Sequence, residues 1–303
     1  MNMRKIAITT FFAGLLLITL ALFGCSAKAE NSIEDEMNKK EESKVKVSKE
    51  EIDQLIQSFP SPIETSIIIK NAGNEFSSEL LIPTKKLDRF VSSYDKAIAM
   101  GAFGGDMGYI NIYGKSFVAI DYLAAIRLLS VDLEIDRFFD FEDMIKMAKS
   151  SDNIDSLQRM STESFNNMEK YLREKGRNEL SVLIVFGTWL EGAYIVSDIA
   201  KGNMSEEMKN RVAEQKESVN KINEILVSAS GDKYFANLLR QLKPLVEMYE
   251  KIKIETIMRE PEMKEVDGQL VFIDNSETKI ITPKGIVESI ITETVKLRNE
   301  LLK

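Results

Sequence analysis

The sequence predicts an all-α protein: a multi-helix bundle of about seven to nine helices with one small β-hairpin near the C-terminus. Three observations carry this reading. Apolar residues recur at helical spacing in one segment after another. Polar caps and glycines separate those segments. Only Gln269 to Ile281 reads as strand.

In chain order, residues 50–58 and 62–72 read as short helices and residues 85–100 and 115–130 as longer ones. From Ser156, a stripe of Leu157, Met160, Phe165, Met168, Tyr171 and Leu172 marks another helix. Asp155 serves as its N-cap and Gly176 as its stop. The next helix spans about Asn178 to Ala200. A further one follows Ser205, with Glu206 and Glu207 in its first turn and Met208, Val212, Val219, Ile222 and Ile225 on one face, ending at Gly231. Phe235 to Ile252 carries one more apolar face, with Pro244 inside it as a kink. In QLVFIDNSETKII (269–281), two β-rich runs flank Asp274 to Glu277, the signal of a hairpin. An isolated hairpin is marginal and should pack on the helices. Pro283 opens a final helix to about Leu302.

The N-terminus divides differently. Arg4 and Lys5 precede an apolar run from Ile6 to Phe23, the layout of an export signal. Leu22-Phe23-Gly24-Cys25 then resembles a bacterial lipobox, in which the cysteine is diacylated and cleavage falls just before it. Phe23 is bulkier than usual there. The other reading is an uncleaved membrane anchor, since this largely apolar run of 18 residues approaches the ~20 that span a bilayer. The chain's single cysteine at the lipobox position favours lipidation at Cys25. The organisation expected is a signal peptide over 1–24, a lipidated Cys25 with a charged flexible tether over 25–48, and a helical domain over 49–303. The chain is then anchored to a membrane by its acyl chains, the outer membrane being the expected one. The domain stands in the periplasm or at the cell surface.

Formal net charge is −8, and removal of 1–24 with Arg4 and Lys5 takes it to −10. Such a domain repels phosphate backbones, so no nucleic-acid partner is expected. There is no histidine. That excludes Ser-His-Asp and Cys-His catalysis, and with the one cysteine lipidated it excludes ordinary zinc sites. No phosphate-binding glycine loop is present, and no cofactor is expected. Calcium deserves one look: Asp132, Glu134, Asp136, Asp140 and Asp143 fall at positions 1, 3, 5, 9 and 12 of an EF-hand-like stretch. Arg137 stands where that loop needs glycine, and Phe138, Phe139 and Phe141 read as core anchors, so no metal is expected.

Two segments resemble one another, Gly101-AFGGDMGY-Ile110 and Phe186-GTWLEGAY-Ile195. At an offset of 85, Asp106 aligns with Glu191 and Tyr109 with Tyr194. A duplicated helical hairpin or coincidence both account for this. Four glycines between 101 and 108 weaken any helix there. They imply a close helix–helix approach, room for a ligand, or a partial loop. An acid and a tyrosine three apart share one helical face. Asp106, Tyr109, Trp189, Glu191 and Tyr194 are thus either a structural polar centre, the carboxylates locking helices together, or the lining of a shared ligand cavity. As a pair, Asp106 and Glu191 could also run a carboxylate-based hydrolysis of envelope glycans.

Ser61-Pro62, GAFGGDMGY, YLAAIRLLSVDLEI (122–135), DSLQRMS (155–161) and FGTWLEGAY (186–194) together resemble a group of Bacteroidetes envelope lipoproteins, helical and without an assigned activity. The resemblance spans most of the mature chain and implies an envelope protein; it brings no catalytic residues. Asp155-Ser156-Leu157 also resembles the O-glycosylation sequon of that phylum, with Ser156 as acceptor; a helix cap explains the same residues. The leading expectation is a non-enzymatic envelope module that binds a protein or small molecule, and the alternative is the hydrolase built on Asp106 and Glu191.

Overall fold

The computed structural model describes residues 47–302, apart from 60–68, 72, 74, 150–153, 258–261, 267–268 and 274–276. The signal, Cys25 and nearly all of the tether lie outside the described residues, as does most of the segment read as a helix over 62–72. Residues 44–303 form one compact unit. It is all-α with a small antiparallel hairpin near the C-terminus, and ten α-helices are described, one or more beyond the number expected.

Helix α1 (Lys49–Gln57) starts on a capping box, with Glu51 N–H donating to Ser48 Oγ and Ser48 N–H donating to Glu51 Oε2. Val47 is already buried, and its carbonyl accepts from Asn178 Nδ2. The expected helix over 85–100 divides. A 3-10 turn covers Thr84–Arg89, and α2 (Ser93–Ile112) begins only where Ser92 and Asp95 form a second capping box. α2 then runs unbroken through all four glycines, so this segment is no loop.

α3 (Ser116–Asp132) returns antiparallel to α2. It ends at Glu134, whose φ of 61° lets the Ile135 N–H reach the Ser130 carbonyl, a C-cap arrangement that usually employs glycine. α4 (Phe141–Ala148) is capped by Asp140. α5 (Ile154–Glu174) begins one residue before Asp155, which therefore lies in its first turn and is not its N-cap. Gly176, at φ 66°, stops it as expected.

α6 (Asn178–Gly202) is apolar all round because it is the core helix. It is long and apolar enough to cross a membrane, yet 89% of its most apolar window is buried within the protein. The single helix expected after Ser205 is two, α7 (Glu206–Ala213) and α8 (Lys216–Ser228). The break between them sets the Gln215 side chain against Trp189. α9 (Lys233–Glu250), capped by Asp232, continues through Pro244. α10 (Ile286–Leu302) closes the bundle against α6 and α9.

The strands Gln269–Ile273 (β3) and Glu277–Ile281 (β4) form where expected but do not pair with each other. β3 pairs with β2 (Glu262–Val266) across a two-residue link, and β4 pairs with β1 (Lys253–Ile257). The residues after Ile252 supply both partners, KIETI and EMKEV, in each of which the two apolar residues stand three apart and break strand alternation. Among the described residues, Ile252 is buried and Ile280 half-buried where the base of this arm meets the helices, while Ile254, Ile257, Met263 and Ile281 are exposed.

Candidate functional site

α2 and α6 make the most extensive helix–helix contact in the chain, and glycine makes it close. A Cβ on Gly101 would stand 1.8 Å from the Ile184 carbonyl oxygen, and one on Gly187 would stand 2.0 Å from that of Ile98. A Cβ on Gly105 would meet the Glu191 Cβ at 2.9 Å. Of the three readings of the glycines, Gly101 and Gly105 serve close helix approach. Gly104 and Gly108 face solvent on the same helix.

This approach brings Asp106 and Glu191 into hydrogen-bond contact, both with no exposed surface. The third member of the cluster is Arg298 of α10, 1% exposed. Its Nη2 and Nε donate to the two Glu191 oxygens at 2.7 and 2.9 Å, a bidentate fork. Nη2 also donates to the Leu80 carbonyl at 3.1 Å, and the guanidinium lies 4.2 Å from the Tyr194 ring centroid, a cation–π contact. Asp106 Oδ2 accepts from the Ile82 N–H at 3.0 Å, while the Ile82 carbonyl accepts from Tyr122 Oη at 2.7 Å. The centre thus ties the segment 80–82 to α2, α3, α6 and α10.

Electrostatics favour a neutral Asp106. Burial pushes the Asp106 carboxyl well above the ordinary range, the Glu191 charge pushes it further, and the Ile82 N–H and Arg298 only partly oppose this. Asp106 Oδ1 accepts no hydrogen bond. A proton on Asp106 lets it donate to Glu191 and leaves one anion facing one cation. Burial pulls Arg298 down, but the bond to Glu191 and its charge more than offset that and leave it raised. Burial raises the Tyr194 phenol as well.

Of the five residues singled out in sequence, Asp106, Glu191 and Tyr194 come together around Arg298. Tyr109 and Trp189 do not join them. Tyr109 Oη accepts from the Ser77 N–H at 3.1 Å and its ring stacks on Phe76. Trp189 donates to Gln215 Oε1 at 3.0 Å beside Phe186. The five therefore do not line one cavity. A glycosidase pair must flank a bond that substrate and water can reach. These carboxyls have no exposed surface, and one is spanned by a guanidinium.

Arg298 went unnoticed in sequence, although a signal exists: it falls in the stripe Val287, Ile290, Ile291, Thr294, Arg298, a cation at a core position. The acids of the calcium-like stretch do not converge. Asp132 pairs with Lys96, Glu134 with Arg177, and Asp140 caps α4. Among the described residues no acid group is arranged to hold a metal. Ser156 sits half-exposed in the first turn of α5. Comparison with known protein families, curated proteins and solved structures finds no match to this chain.

Proposed function

We propose that this chain is an envelope lipoprotein, held at a membrane through a lipid on Cys25, whose helical unit is a non-enzymatic binding or interaction module. The anchor rests on the charged and apolar N-terminal regions and on the placing of the only cysteine. The closed ion pair of Glu191 and Arg298 carries the non-enzymatic part. The best-placed acids for chemistry in a histidine-free chain are used to hold four elements together.

Labelled palmitate fed to cells expressing the full chain tests the anchor. Wild type takes up label and sediments with membranes; Cys25→Ser loses both. A labelled Cys25→Ser chain overturns the assignment. For the module, Glu191→Gln should lower the thermal midpoint with every ligand response of the folded fraction unchanged. A variant that keeps wild-type stability and loses a ligand response reinstates Glu191 as a site residue.

A further inference from the structure

The turn after α3 reads Asp136-Arg137-Phe138-Phe139-Asp140-Phe141-Glu142. With one face of α5 it borders an open cleft of about 570 Å³, within the size range of small-molecule sites and separate from the buried centre. Its walls carry both signs of charge: Arg127 and Arg137, with Asp136, Asp140, Glu142 and Glu163. Neither arginine is ion-paired with any of these acids. Arg137 lies 4.2 Å from the Tyr171 ring centroid and 5.2 Å from that of Phe138, and Arg127 lies 5.9 Å from that of Phe141. A guanidinium resting on a ring keeps its fork of N–H donors for a carboxylate. Ser164 lines the same cleft although only 6% exposed. The phenylalanines supply an apolar wall.

The balance of charge selects the ligand. Four carboxylates against two guanidiniums repel a simple anion, and two fixed guanidiniums disfavour a simple cation. A molecule carrying both charges around an apolar body matches every part. We infer that this cleft binds a small zwitterion with an apolar side chain, a free amino acid or short peptide with unblocked ends. Its carboxylate sits on Arg127 and Arg137, its ammonium faces Asp136 and Glu163, and its side chain lies on the phenylalanines. The inference rests on the binding-module reading and names the site and ligand class for it.

The test is calorimetric titration of the full chain in detergent with the dipeptide Phe-Leu, its N-acetyl form and its C-terminal amide. The free dipeptide should bind, and each blocked form at least about tenfold more weakly. Arg137→Gln should weaken the free dipeptide about tenfold and leave the amide at its wild-type affinity, because only the carboxylate contact is lost. Arg127→Gln is the second variant, and circular dichroism checks that both are folded. No heat from the free dipeptide, equal binding of the blocked forms, or indifference to both substitutions overturns the inference. Palmitate labelling is read separately. An unlabelled chain that binds the dipeptide sinks the anchor and keeps the cleft; a labelled chain that ignores it sinks the cleft alone.

Discussion

Gly101 and Gly187 press on one another's helices at equivalent points. Each lies against the carbonyl three residues before the other, Gly101 on Ile184 and Gly187 on Ile98, and each also approaches the amide just after it. α2 and α6 therefore cross about a local two-fold axis that equates residues 86 apart. The sequence likeness pairs residues 85 apart, Asp106 with Glu191. At the crossing it is Gly105 that faces Glu191. The single-residue offset puts a glycine opposite the acid and leaves Asp106 beside it.

The glycines of α2 should respond oppositely to alanine. In a helix, alanine is favoured over glycine by up to about 1 kcal/mol. Gly108→Ala, with nothing near the added methyl, should gain about 0.5–1 kcal/mol in urea unfolding. Gly101→Ala drives a methyl into a backbone carbonyl and should lose at least about 2 kcal/mol. Equal effects at the two positions would show that the helices do not cross this closely.

Breaking the ion pair from one side leaves a buried charge uncompensated. Arg298→Met should cost about 3–5 kcal/mol, whereas the double variant Arg298→Met/Glu191→Gln should recover part of that loss. Fluorescence of the only tryptophan, buried Trp189, reports the unfolding. Additive losses would mean that the two side chains do not interact.

Asp106 makes stability depend on pH with a defined sign. Its native carboxyl holds a proton well above the value near 4 expected when unfolded. Its contribution is full below that value and fades as pH climbs toward the native one. Asp106→Asn copies the neutral acid, its carbonyl accepting from Ile82 and its amide donating to Glu191. The variant should unfold closer to wild type at pH 8 than at pH 4.5, or above it. Parallel stability curves from pH 4.5 to 8 would refute a neutral Asp106.

Removing the Tyr122 hydroxyl leaves the Ile82 carbonyl without that donor. Tyr122→Phe should cost about 1–2 kcal/mol. Hydrogen exchange at residues 80–82 should quicken more than exchange in α9. Uniform quickening would mean that the hydroxyl does not pin this segment.

Much of the bundle is legible because its stripes are amphipathic. Phe235, Leu238, Leu242, Leu245 and Tyr249 all point inward as their spacing requires. Helix starts are less legible. The capping pair Ser92 and Asp95 overrides the apolar residues before it, and the break at Gln215 falls where the stripe skips a single turn, between Val212 and Val219, a gap that a continuous helix also tolerates. Asp106 and Glu191 stand out as acids among apolar neighbours. Their partner does not, since Arg298 lies over a hundred residues beyond either in a helix of ordinary composition. Local pattern shows that a buried acid needs a partner, but it does not say which distant helix brings one. The strand pairing is hidden for a different reason: β2 lies just before β3 across a two-residue link, but neither EMKEV nor the KIETI of β1 carries the apolar alternation that marks a strand.

The reach of Arg298 also orders the making of the protein. One guanidinium binds the Leu80 carbonyl 218 positions earlier and Glu191 107 positions earlier. A chain emerging from the ribosome cannot complete its centre until α10 is out, because Glu191 has no cation and the 80–82 segment has one tie fewer. Contacts of such sequence separation form late. The clamp that holds the unit shut is thus among the last of its contacts to close.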